Sequence, residues 1–501
     1  MKVTLFIKNT VILVATSLIL RSVGVLFRIW LADNIGSEGM GLYQLIFSVY
    51  MLAATFATSG VSTAVTRLVA DEESHGQRAI SGIMRRAVII TLIAAAVSTA
   101  VIFLCAEPIA IFLLKDRRAV LSLKILSLSL PFMGLSSCAR GYFIARRKTI
   151  QPSLVQMLEQ AVRIAVVVIC ISLTAEKGLA YTAAAVLMGD VVAETASFCV
   201  NWILYLRDRR QLQAGSPAHG IYKKILHIAL PITGSSYISS ILHTTENLLV
   251  PQRLSAFHGT KGRGLELFGA IRGMALPILF FPASFLTSLS TMLIPEVSSA
   301  SASGNLRKVQ KTVSYSVGTT LTLSTFVACI FMFNAADIGN VMYHDTDVGQ
   351  MILVLSPIVP FMYLESVTAG LLKGLDCQIA QLRFNTFDSC FRIAAVFFLL
   401  PHFGIKGYLA VMIVSNCFTS SLSARCLFKA ADIAPKFGAW VLFPLVAGVA
   451  GGMLGGFISS PLHNTILRLI LSVGIQAAVC AAAYYLSKIK SRGTPSRLNR
   501  A

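Results

Sequence analysis

The chain has 501 residues, 55% hydrophobic and 13% charged, with a formal net charge of +21 and a mean hydropathy of +0.73. This composition excludes a soluble globular domain and a disordered chain, and no basic folded domain exists to carry the charge toward nucleic acid. The ten cysteines are scattered with no C-x-x-C pair, which argues against a metal site or a disulfide framework.

Apolar runs of about twenty residues, enough to cross a hydrocarbon core of ~30 Å, recur from end to end. About fourteen are expected: 10–32, 41–68, 83–105, 119–144, 152–174, 179–206, 225–250, 265–294, 310–335, 349–373, 380–401, 405–428, 438–459 and 464–487. They lack the period-two alternation of barrel strands, so the fold class is an all-α polytopic membrane protein. No connection is long enough to hold a soluble domain. The basic start and first apolar run could pass for a signal peptide. Arg21 and Arg28 interrupt that run and no small-residue cleavage site follows it, so a retained first helix is expected.

Those two arginines are the most informative residues in the first span. Seven residues make two helical turns, which puts both guanidiniums on one face, about 10 Å apart. A cation at mid-bilayer costs roughly 2.5–3.5 kcal/mol on insertion scales, so it usually faces a bundle interior or a water-filled cavity. Two on one stripe suggest a cavity built for an anion. The competing reading is snorkelling, which suits Arg28, near the outer end, better than Arg21.

Most of the 43 Lys and Arg fall in the two tails and the even-numbered connections. Arg146, Arg147 and Lys148 are one such group, and Lys223 and Lys224 another. The positive-inside rule then places both termini in the cytoplasm and the chain in the cytoplasmic membrane. Anionic membrane lipids are the expected partners of this charge.

The chain contains an internal repeat. Pro131-Phe132-Met133 matches Pro360-Phe361-Met362, and Gly141 matches Gly370, at an offset of 229. Glu159 and Arg163-Ile164-Ala165 match Asp388 and Arg392-Ile393-Ala394 at the same offset. An offset of six spans preserves orientation, so parallel repeats with a site between two rocking lobes are expected. The expected division is an N-terminal lobe at 1–206, a cytoplasmic linker at 207–224, a C-terminal lobe at 225–430, and a last pair of helices with a basic tail at 431–501.

Other charges lie inside spans. Arg272, about two turns into the eighth span, either faces the central cavity opposite Arg21 and Arg28 or snorkels outward. Pro277 and Pro282 follow and should bend that segment. Glu159 and Arg163 on the fifth span, and Asp388 and Arg392 on the eleventh, are spaced to pair along a helix as lobe ion pairs. The alternative is that one of these acids carries a coupling ion. Asp190 and Glu194 are like charges one turn apart on the sixth span, and Glu365 is an isolated acid on the tenth. Glu246, Asn385 and Asp388 could supply oxygen ligands to sodium. No P-loop, Ser/His/Asp or H-E-x-x-H arrangement appears, so the chain is expected not to be an enzyme and to need no cofactor, with Na+ or H+ coupling as the energy source.

The run from Arg21 to Met51, with Gly60–Gln77 and Phe281–Ser301, resembles the stage V sporulation protein B family. That family sits in the multidrug/oligosaccharidyl-lipid/polysaccharide exporter superfamily, alongside the MurJ-type lipid II flippases. The resemblance runs through the whole chain and is most specific in the first segment. It implies a V-shaped, two-lobed bundle that flips a polyprenyl-diphosphate-linked oligosaccharide, lipid II or another peptidoglycan precursor, for the spore cortex. It implies that Arg21, Arg28 and Arg272 line a basic cavity for the diphosphate, and that the last two helices offer a groove to the polyprenyl tail. The relatives' sodium site has an Asn and an Asp spaced i,i+4 on the eleventh span, whereas Asn385 and Asp388 are spaced i,i+3. The alternatives are a flippase for a teichoic or capsular repeat unit, a cation-coupled multidrug exporter, and a non-transporting scaffold for cell-wall enzymes.

Overall fold

The computed structural model describes residues 2–58, 60–74, 79–174, 176, 178–210 and 220–493, with side chains from Ala15 to Tyr485 except at 74, 261, 289–292 and 295. Residues 75–78, 211–219 of the expected linker and 494–501 of the basic tail lie outside the described residues. Every described regular element is a helix. A helix satisfies its own backbone polar groups, which a chain crossing lipid must do.

The chain divides into two compact units, 1–269 and 270–501. The first unit opens with α1 (Lys2–Thr58), whose 57 residues are interrupted at Gly36 (φ 67, ψ 177). A left-handed φ is open to glycine without a steric penalty, and here it allows the chain to turn between two apolar stretches. Then follow α2 (Val61–Ser74), α3 (Ile80–Leu104), a π-helical turn at Ile109–Leu114, α4 (Ala119–Ser127) and α5 (Leu130–Ala145). The α4–α5 pair is bent by 41°. Helices α6 (Ile150–Thr174) and α7 (Leu179–Arg209) pack along each other, and α8 (Ile221–His258) and α9 (Lys261–Gly269) complete the unit. Helix α9 lies directly on α1, because a Cβ at Gly41 would strike the Leu265 carbonyl and one at Gly269 the Ser37 carbonyl.

Two polar clasps close opposite ends of this unit. At one end Arg118 donates to Asp116 (2.7 Å) and to Glu38 (2.8 Å). The hydrogen bonds to Asp116 and then to Glu38 raise the Arg118 guanidinium further above its ordinary pKa. At the other end Asp208 accepts from Tyr142 (2.8 Å), Arg146 and Lys148, while Arg146 also pairs with Glu73 at 3.2 Å. Beneath that clasp Val65, Ile80, Tyr142, Phe143, Tyr205 and Ile225 form an apolar core.

The second unit begins with a π-helical segment at Ala270–Ala275, followed by α10 (Leu276–Phe280), α11 (Ala283–Ala302), α12 (Leu306–Tyr343), α13 (Thr346–Leu355) and α14 (Val359–Gly374). The expected bend near Pro277 and Pro282 appears as this π segment and a break at Phe281–Pro282. Tyr343 and Tyr363 donate to the Met274 and Leu279 carbonyls (3.2 and 2.6 Å) beside it. The 54-residue α15 (Gln378–Ala431) is interrupted at Gly404 (φ 55, ψ −137). Last come α16 (Phe443–Ser459) and α17 (Thr465–Gly493). Asn334 donates to Gln476 (3.1 Å), Gln476 donates to the Gly448 carbonyl (3.0 Å), and Arg468 pairs with Asp337. These contacts tie α16 and α17 to α12.

Ten described helices are long and apolar enough to cross a membrane, or eleven if the bent α4–α5 pair is one span. Hydropathy alone suggests about fourteen. The difference has a physical origin. Two of the helices run to 57 and 54 residues, more than twice the ~20 needed, and each is broken at a glycine into two of the expected spans, while the expected span 265–294 is divided among α9, the π segment, α10 and α11. The repeat is visible in local structure too, since Pro131 and Pro360 occupy the first turns of α5 and α14.

Candidate functional site

Two cavities lie in succession between α1 and α6, within the first unit. On α1, Ser17, Arg21, Gly24 and Arg28 share a stripe. On α6, Gln156, Glu159, Gln160 and Arg163 do the same, following helical spacing. One cavity, about 460 Å³, is lined by Arg21, Arg140, Ser153, Gln156, Glu159 and Gln160, with Thr16 and Ser17 at its edge. The other, about 210 Å³, is lined by Arg28, Tyr43, Tyr50, Gln160, Arg163, Asp190 and Glu194, among Phe27, Phe47 and Met133. Gln160 belongs to both walls.

The charges between them form a network. Arg163 donates to Glu159 at 3.0 Å, to Gln160 at 2.7 Å, and sits with its Nε 2.6 Å from Asp190. Glu159 turns its other oxygen toward Arg140, 4.0 Å away. Both that oxygen and the Arg140 Nε are buried and without a hydrogen-bond partner. Tyr50 shares a hydrogen bond with Ser129 at 2.8 Å, which fixes the far wall of the smaller cavity. The cavities are therefore mixed in charge, with arginines in a small excess over acids. The sequence pointed to a basic cavity from Arg21 and Arg28 alone.

The second unit carries the repeat-related pair in a different setting. Arg392 lies 3.9 Å from Asp388, whose other oxygen accepts from Ser415 at 2.5 Å. Asp190 and Glu194 fall on Thr419 and Ser423 at the repeat offset. The hydroxyls of Thr419, Ser420 and Ser423 are buried without a hydrogen-bond partner. Two acids in one unit are thus two hydroxyls in the other. Arg272 sits in the π-helical segment of the second unit, where its Nε donates to Tyr408 at 3.0 Å.

Of the residues proposed for a cation, Glu246 is buried in α8 of the first unit, while Asn385 and Asp388 lie on α15 of the second. Asn385 is exposed and Asp388 buried. Among the described residues no three His, Cys, Asp or Glu side chains converge as a metal site. Sequence reasoning missed Arg140 and Gln160. Arg140 has no acid at i±4 on its own helix, and its partner Glu159 comes from the next one. The usable signal was an arginine within an apolar run.

A family model described as polysaccharide biosynthesis protein matches residues 6–295, more than half of the chain. The chain belongs to the polysaccharide biosynthesis protein family. Within this family setting it is 26% identical over 489 residues to stage V sporulation protein B of Bacillus subtilis (strain 168), covering 96% of this chain and 92% of that protein. It is 22% identical over 405 residues to lipid II flippase MurJ of the same organism, covering 74% and 73% of the two. A solved structure of lipid II flippase MurJ in an inward closed conformation aligns with a TM-score of 0.70 at 12% identity, covering 95% of this chain and 99% of that one. The chain thus shares its all-helical fold with that structure, and with an inward-facing multidrug resistance MATE family transporter at a TM-score of 0.64 and 14% identity, covering 82% of this chain and 96% of that one.

Proposed function

We propose that the chain flips a polyprenyl-diphosphate-linked sugar across the cytoplasmic membrane by alternating access, with lipid II or another peptidoglycan precursor as cargo and spore cortex synthesis as its setting. The observation that carries this reading is that Arg21 and Arg28, two turns apart on one helix, each line an intramembrane cavity. A sugar headgroup on a diphosphate is large and anionic, and arginine can give two parallel hydrogen bonds to phosphate. Arg21 and Arg28 would hold the diphosphate from the first unit and Arg272 from the second. The headgroup would enter from the inner leaflet, both termini being cytoplasmic, while the tail stays in lipid. The work would come from an Na+ or H+ gradient or from the membrane potential, about 2.3 kcal/mol per charge per 100 mV.

The acids Glu159, Asp190 and Glu194 beside these arginines favour one other reading, export of a cationic compound. Proteoliposomes separate the two. Transfer of lipid II headgroups to the far leaflet without ethidium transport is the expected result. Ethidium transport without lipid II transfer would refute the flippase. Transfer of an undecaprenyl-diphosphate-linked teichoic or capsular unit in place of lipid II would keep the mechanism and change the cargo.

A further inference from the structure

Glu159 occupies an unusual place between two arginines. One of its oxygens is fully engaged by Arg163 at 3.0 Å. The other is buried, lacks a hydrogen bond, and stops 4.0 Å short of Arg140. Arg140 mirrors this, with a buried Nε that lacks an acceptor. An arginine short of an acceptor faces a carboxylate short of a donor, across a gap too wide for a hydrogen bond. The gap opens into the 460 Å³ cavity that Arg21 also lines.

We infer that Arg140 is a further ligand of the transported lipid's phosphate, beside the three arginines named above, and that Glu159 is an internal counter-anion which that phosphate displaces. The inference rests on the flippase reading given above. A phosphate entering beside Arg21 supplies the acceptor that Arg140 lacks, in a charge-assisted and potentially bidentate contact. Gln156 adds a neutral amide donor in the same wall. The phosphate also meets the Glu159 carboxylate, and like charges at close range in a poorly screened site repel. Glu159 relieves this by withdrawing wholly onto Arg163. That move draws on Asp190, the other anion on Arg163, and so loads the network bordering the smaller cavity. Occupancy of the Arg21–Arg140 cavity is thereby coupled to the charge of the Arg28–Arg163 cavity. Glu159 also keeps binding weak enough for release, as any conducting site requires.

The test uses the full-length protein in nanodiscs and farnesyl diphosphate as probe, with farnesol as the uncharged control. Arg140→Gln should weaken farnesyl diphosphate about tenfold, the loss of one charge-assisted contact, and Glu159→Gln should tighten it about tenfold. In the double variant the tightening should shrink, because Glu159 then no longer competes for Arg140. Farnesol binding should not change in any variant. Unchanged affinity in Arg140→Gln alongside weakening in Arg21→Gln overturns the inference and leaves the flippase reading standing. Unchanged affinity in both strikes at the flippase reading itself. Weaker binding in Glu159→Gln overturns the counter-anion role. Where Arg140→Gln fails to fold, Arg140→Lys decides: the inference requires weaker binding than wild type, because an ammonium cannot reproduce the guanidinium fork.

Discussion

Replacing Arg163 by Met should destabilise the first unit more than the repeat-related Arg392→Met destabilises the second. Arg163 holds two acids, Glu159 at 3.0 Å and Asp190 at 2.6 Å, with the three side chains 23%, 13% and 11% exposed. Removing one partner of a buried ion pair costs about 3–5 kcal/mol, because the other charge is left uncompensated. The partial exposure of Arg163 argues for the lower end, about 3 kcal/mol. Asp388 loses less when Arg392 goes, since that pair is already 3.9 Å apart and Ser415 still donates to it at 2.5 Å. About 1–2 kcal/mol is expected there. Equilibrium unfolding by SDS in mixed micelles measures both, followed by tryptophan fluorescence, since Trp30 and Trp202 report on the first unit and Trp440 on the second. Combining Arg163→Met with Glu159→Gln and Asp190→Asn should recover stability to within about 1 kcal/mol of wild type, because no bare charge remains. A triple variant no more stable than Arg163→Met would mean that the loss came from packing and would refute the electrostatic account. Equal losses at Arg163 and Arg392 would do the same for the contrast between units.

Other predictions follow from single contacts. Asn334→Leu should cost about 1–3 kcal/mol by leaving Gln476 short of a partner, and the Asn334→Leu/Gln476→Leu pair should cost less than the single change. Protease protection of the α16–α17 segment checks this. Gly269→Ala should lower thermal stability sharply, because its Cβ would push α9 off the Ser37 carbonyl, whereas the Cβ of Gly24→Ala on α1 meets no neighbour within 4 Å and should be tolerated. The charge distribution predicts that a cysteine at Glu107 reacts with a membrane-impermeant maleimide in intact cells and one at Lys308 only after permeabilisation, in a background with the native cysteines replaced. The reverse pattern would invert the topology.

The readability of this chain depended on whether the determining interaction was local. The pairs Glu159–Arg163 and Asp388–Arg392 follow from i,i+4 spacing alone, and the structure contains both. The glycines of α16 announce close helix contact, and a Cβ at Gly448, Gly451, Gly452 or Gly455 would press on Cys329, Val479, Phe333 or Ser472. Helix number was less legible at 265–294, where a π turn and a break at Phe281–Pro282 divide one apolar run among short helices, which hydropathy does not register, whereas the breaks at Gly36 and Gly404 fall where hydropathy already divides the spans. Arg140 was invisible as a site residue because its partner comes from another helix. The acids of the smaller cavity were seen as residues but not as companions of Arg28, since no one-dimensional pattern joins α1 to α7.

The most direct test of the central claim is lipid II translocation in proteoliposomes, scored by headgroup accessibility on the far leaflet. The wild type is compared with an Arg21→Ala/Arg28→Ala/Arg272→Ala variant of equal yield and monodispersity. Translocation by the wild type and its loss in the variant is the predicted result. Equal translocation by both proteins would contradict the arginine-lined route for the diphosphate.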